Sequence, residues 1–133
     1  MKLKYWMIAK SIIVLIFGVG FLLIPEILAG IYGMTFDAAA TLMARLFAGG
    51  FILEAIILWF ARNTDRDDAA CRGILWGVVV SNTIGFIVCL LATLAGTWNA
   101  LGWLSVGLFL VFGLAFAYFL FVKKMPVKAA QPA

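Results

Sequence analysis

The sequence contains no histidine, two cysteines, three prolines, and only ten basic and six acidic residues among 133. Each scarcity excludes something. Without histidine, the commonest metal ligand and general base is missing, and so is the usual axial ligand of haem. Cys71 and Cys89 lie 18 residues apart in what reads as one helix. That spacing sets them about 27 Å apart along its axis, too far for a disulfide or a shared zinc site. Neither a metal nor another cofactor is expected. Gly18-Val19-Gly20 is a lone glycine pair inside an apolar run and not a nucleotide-binding loop. Asp65-Arg66-Asp67-Asp68 lacks the spacing of a calcium loop; interleaved with Arg62, Arg66 and Arg72, it reads as a solvated ion-pair loop. The basic residues are too few and too scattered for a nucleic-acid surface. No loop is long enough to carry a catalytic domain, so a non-enzymatic role is expected. An enzyme working on lipid or quinone within the helices is the least favoured reading.

What is abundant is apolar: 66% of the residues, against about 45–50% in a soluble domain. A soluble fold of this size buries too small a fraction of its surface to hide that much, and disordered chains are poor in such residues. The expectation is an integral membrane protein forming one domain over residues 1–133. No charge occurs from Gly73 to Val122, a stretch long enough for two helices of about 20 residues. The turn formers Gly96-Thr97-Trp98-Asn99-Ala100-Leu101-Gly102 divide it. The first half divides likewise. The expected spans are about 6–30, 38–61, 70–95 and 100–122, followed by a short basic tail at 123–133. Pro25 should kink or loosen the end of the first, and Asp37 is placed to cap the second. The amino-terminal run could instead be a signal peptide. Its length, and Pro25-Glu26 where small residues would be needed for cleavage, favour a retained helix.

Basic residues orient these spans. Lys2, Lys4 and Lys10, then Arg62, Arg66 and Arg72, then Lys123, Lys124 and Lys128 all fall on one side. The positive-inside rule makes that side cytoplasmic. The expected fold is therefore all-α, an antiparallel up-down-up-down four-helix bundle in the cell's inner (plasma) membrane with both termini cytoplasmic. The lipid bilayer is its first partner. The net charge of +4 would then face anionic headgroups of the inner leaflet.

Two sets of residues stand out. Ala69, Gly73, Gly77, Ser81, Gly85, Cys89 and Thr93 place a small side chain at every fourth position of the third span. Small residues let backbones approach closely where lipid supplies no hydrophobic drive. This row packs either inside the monomer or against a second subunit. The second set is polar. Ionisable groups inside a membrane are costly and mark functional sites by default; here they are Lys10, Glu26, Arg45 and Glu54, with Asn82 near mid-span. Arg45 and Glu54 project from opposite sides of their helix, about 13 Å apart along it. By depth, Arg45 is expected to pair with Glu26, and Glu54 with Lys10 or Asn82. For Lys10 itself, snorkelling of its ammonium to the inner interface is the favoured reading. Structural pairing is the favoured reading of Arg45 and Glu54; a solute or proton path lined by Arg45, Glu54 and Asn82, or an intersubunit contact, is the less favoured one.

Leu23-Ile24-Pro25-Glu26, Ile31-Tyr32-Gly33 and Ala44-Arg45-Leu46-Phe47-Ala48-Gly49-Gly50 resemble the small bacterial four-helix membrane proteins grouped as DoxX-like or of unknown function. The resemblance covers roughly residues 20–60 and the four-span plan. It implies a fold more than an activity, and it favours an accessory subunit of a membrane complex, since some such proteins are associated with respiratory or redox complexes. This chain has no cysteine pair for redox work. The expected function is thus a non-enzymatic membrane protein that self-associates or joins a larger complex, the alternative being a small channel or transporter.

Overall fold

A computed structural model describes residues 2–65 and 68–122; Met1, the loop residues Arg66 and Asp67, and the basic tail 123–133 lie outside it. All regular structure among the described residues is helical: α1 (Leu3–Leu23), α2 (Pro25–Ile31), α3 (Ala38–Ala61), α4 (Ala69–Leu94) and α5 (Gly102–Ala117), which continues into a π-helical turn, Tyr118–Val122. Four segments, α1, α3, α4 and α5 with its π turn, are long and apolar enough to cross a membrane. They point to a multi-pass membrane protein.

The span expected over residues 6–30 is divided. Ile24 leaves the helical region, with φ −134° and ψ 50°, and Pro25 opens α2 at its first position. The cause is steric and local. A proline disfavours helical geometry in the residue before it, but at a helix start its missing N–H costs nothing. α2 is therefore a separate short helix, and the segment long and apolar enough to cross a membrane ends at Leu23. Asp37 caps α3, its Oδ1 accepting from the Ala40 amide at 2.7 Å. Asp68 does the same for the Ala70 amide of α4. Asp37→Ala is expected to cost about 1 kcal/mol, read as a lowered thermal midpoint in detergent.

The helices associate as two pairs, α1 with α3 and α4 with α5. In the first pair, Ser11 Oγ donates to the Ala55 carbonyl at 2.7 Å, both buried. Gly18 faces Phe51 and Ile52 so closely that a Cβ there would stand 3.2 Å from the Ile52 backbone nitrogen. In the second pair, Gly85 faces the ring of Phe109, and Gly102 faces Thr93. Between the pairs, α3 and α4 touch little despite being consecutive. What joins the pairs is a cluster at one end of the bundle, with Met7 from α1, Leu58 from α3, Cys71 and Leu75 from α4, and Phe112 and Phe116 from α5. Large apolar side chains such as Leu46, Phe60 and Leu114 remain outside, more than 60% exposed. A surface this apolar suits lipid rather than water.

The opposite end is closed by the loops. Asn99 donates from its backbone to the Tyr32 carbonyl at 2.9 Å and from Nδ2 to the Ile31 carbonyl at 2.8 Å. Its Oδ1 accepts from the Leu101 amide. Gly33 turns the chain after α2 with φ +79°, a conformation that strains residues bearing a Cβ; a Cβ there would also press on the Asn99 side chain.

Candidate functional site

The two pairs meet through the apolar cluster at one end and through the loops at the other, and a cavity of about 580 Å³ lies between them. All five helices contribute to its wall. Aromatic rings dominate the lining: Phe17 and Phe21 from α1, Phe47 and Phe51 from α3, and Phe109 and Phe112 from α5. Phe21 and Phe51 are stacked, with centroids 6.3 Å apart. Wall residues from α1 and α5 are buried or half-buried, whereas Phe47, Gly50, Ser81, Ile84 and Val88 are exposed. The mouth of the cavity therefore lies between α3 and α4.

Polar groups sit at defined places in this wall. Lys10 Nζ meets Glu54 Oε1 at 2.7 Å, with the lysine side chain 3% and the glutamate side chain 22% exposed. The same ammonium lies 5.9 Å and 6.0 Å from the ring centroids of Phe112 and Phe116. One cation thus engages both helix pairs, through a carboxylate on α3 and ring faces on α5. At the loop end, Tyr32 Oη and Ser105 Oγ are 2.8 Å apart and buried, and Trp98 packs on the Tyr32 ring at 5.0 Å. Asn82 lies in the wall between these ends, 1% exposed. Its Nδ2 donates to the Val78 carbonyl one turn back, and its Oδ1 has no partner among the described residues.

No family model, curated protein or solved structure matches this chain significantly. The site must be read from its own geometry.

Of the residues singled out in the sequence, Lys10, Glu54 and Asn82 come together around the cavity, with Ser81, Gly85 and Cys89 in the same wall. Glu54 takes Lys10 as its partner, not Asn82. Lys10 does not snorkel: its ammonium turns inward, because Glu54 and two ring faces lie within reach of its stem. The expected Arg45–Glu26 ion pair is not formed among the described residues. Glu26 Oε1 instead accepts from Thr41 Oγ1 at 3.1 Å, and Arg45 is exposed, away from the cavity wall. The break at Ile24 explains this, since it sets Glu26 in the first turn of α2 beside the start of α3. There its own backbone amide, then Thr41 and the more distant charge of Arg45, hold its carboxyl below the usual carboxylate range. The small-residue row also divides. Gly85 and Cys89 pack within the monomer, whereas Gly73 and Gly77 are exposed and a Cβ on either would meet nothing within 4 Å.

Two contributors were not singled out in the sequence: the Tyr32–Ser105 pair and the ring-lined wall. Tyr32 and Ser105 are 73 residues apart, and no local pattern announces that they meet. Phenylalanines bordering a cavity have the same spacing signature as those facing lipid. Among the described residues no histidine, cysteine, aspartate and glutamate cluster is arranged to hold a metal.

Proposed function

We propose that the protein is a non-enzymatic accessory subunit of a membrane assembly whose working part is an apolar binding cavity. The cavity between the two helix pairs carries this reading. Its volume falls in the range of small-molecule sites, about 300–1,000 Å³, and its wall is apolar with a few placed polar groups, as such sites are. The membrane setting is supported by the four long apolar helices. An up-down-up-down course is supported by the contacts within each pair, since Lys10 meets Glu54 while the later Gly18 meets the earlier Phe51. Basic residues support cytoplasmic termini and an inner-membrane location. The DoxX-like resemblance belongs to the same proposal and adds the accessory role.

Self-association is supported by the exposed Gly73 and Gly77 of α4, a small-xxx-small face with room for a second helix. Native mass spectrometry of the chain in mild detergent tests both parts. An oligomer carrying a co-purified apolar molecule is the expected result; a bare monomer would count against them. Gly77→Ile should shift an oligomer to monomer, by filling the face, with little effect on the monomer's own fold.

A second reading, a small channel or transporter, draws on one observation: Lys10, Glu54 and Asn82 line the same cavity. Arg45 does not share in it. Flux into liposomes that fell in Glu54→Gln would favour this reading over a closed binding site.

A further inference from the structure

We infer that the cavity takes a neutral lipophile with a hydrogen-bond donor, an alcohol or phenol on an apolar body, and that the donor bonds to Asn82 Oδ1. This rests on the binding reading above and adds the chemistry of the occupant.

Asn82 supplies the first part of the argument. Its Nδ2 donates to the Val78 carbonyl at 2.6 Å, which fixes the amide's orientation. Reversed, the amide would set oxygen against oxygen. Oδ1 is then an acceptor with no donor among the described residues, in a wall residue 1% exposed whose oxygen is closed over by its neighbours, so an incoming donor must part them to reach it. Leaving such an atom unsatisfied costs about 1–3 kcal/mol. If α4 needed only shape at this position, leucine would serve without that cost. Several other polar groups of the wall already have partners. Lys10 holds Glu54, Tyr32 holds Ser105, and Ser81 Oγ donates to the Val78 carbonyl at 3.2 Å.

Charge supplies the second part. Lys10 and Glu54 are the only charged residues in the wall among the described residues, and they neutralise each other. A carboxylate or phosphate headgroup would find no free cation here, and an unpaired charge in so apolar a place is strongly disfavoured. The occupant is therefore neutral. Its apolar body is specified by the rings of Phe17, Phe21, Phe51 and Phe109. Its route is the gap between α3 and α4, where Phe47, Ile84 and Val88 are exposed on the surface that lipid covers. Water could bond to Oδ1 equally well, but a lipophile's hydroxyl replaces that bond and also fills the apolar volume.

The test is equilibrium binding to the full chain in lipid nanodiscs, with uptake by chain-free discs subtracted. The probes are octylphenol and dodecanol, the methyl ether of each, and dodecanoate. The phenol and alcohol arms separate a ring-bearing occupant from a chain-like one. Each donor probe should bind about tenfold tighter than its ether, the ratio that one hydrogen bond of ordinary net strength gives. Dodecanoate should bind more weakly than dodecanol. In Asn82→Leu the tenfold ratio should fall to about one, with ether binding kept. Equal binding of donor and ether to the unaltered chain overturns the assignment while leaving the binding reading intact, and it needs no variant to fold. A ratio that persists in Asn82→Leu also overturns it, by moving the donor to another acceptor such as Glu54. Tighter binding of dodecanoate than of dodecanol refutes neutrality. Saturable binding of none of the probes removes the binding reading itself.

Discussion

Replacing Glu54 with leucine is expected to destabilise the protein by about 4–5 kcal/mol, near the top of the range for breaking a buried ion pair. The charge left behind decides the size. Lys10 has a side chain only 3% exposed, so its ammonium would lose its partner and have almost no solvent to replace it. The reverse change, Lys10→Met, strands a carboxylate that is 22% exposed and should cost less, about 3 kcal/mol. Methionine keeps the apolar stem packed but gives up the ring contacts with Phe112 and Phe116. The double variant Lys10→Met/Glu54→Leu should recover most of the loss, because a buried pair is worth little more than well-packed apolar residues. Unfolding by SDS titration in mild detergent measures all three. The opposite order of the two single variants would mean that the freed lysine swings to the membrane surface, making its inward position weakly held.

Gly18→Ala is the second variant with a large expected effect, and its sign is opposite to what helix propensity alone would give. Glycine inside a helix costs roughly 1 kcal/mol relative to alanine, so the change would ordinarily stabilise. Here the new Cβ would stand 2.9 Å from Ile52 Cγ1 and 3.2 Å from the Ile52 backbone nitrogen. A side-chain tip can rotate away; a backbone atom moves only with its helix. α1 and α3 would have to separate, at a net cost of about 1–3 kcal/mol typical of overpacking. The register that brings Lys10 to Glu54 and Ser11 to Ala55 would loosen with them. Gly73→Ala is the control, since nothing lies within 4 Å of its Cβ position. It should leave the SDS midpoint unchanged or raise it. Equal behaviour of the two variants would show that α1 and α3 are not in close contact at Gly18.

Much of this architecture could be read from the sequence because hydrophobic length and turn residues are local signals. The spans at 38–61 and near 70–95, the cap at Asp37, and the disturbance at Pro25 all follow from residues adjacent in the chain. Partner choice is not local. Depth along the membrane matched Glu54 to Lys10 or Asn82 and Arg45 to Glu26; Glu54 takes Lys10, and the second pair does not form. What decided between them was the direction each side chain takes around its helix, and the break at Ile24 that re-aims α2. The small-residue row had a similar ambiguity. Its spacing is uniform from Gly73 to Cys89, yet α4 turns the two ends of the row toward different surroundings, because a four-residue step drifts around a 3.6-residue helix. The cavity was invisible for a different reason. A void is produced by how two pairs diverge, and neither pair's sequence encodes its distance from the other.

That division into two helix pairs has a thermodynamic consequence. Each pair is a unit with close internal contacts, and the cavity occupies the seam between the units, where native contacts are fewest. Openings of lowest free energy are expected along such seams. A molecule lodged there would touch both units at once and would bind the closed form better than the parted one. By mass action it would raise the free energy of opening in proportion to the logarithm of its concentration. The stability of this protein would then depend on what is dissolved in its membrane, and its mechanical coherence would itself report occupancy.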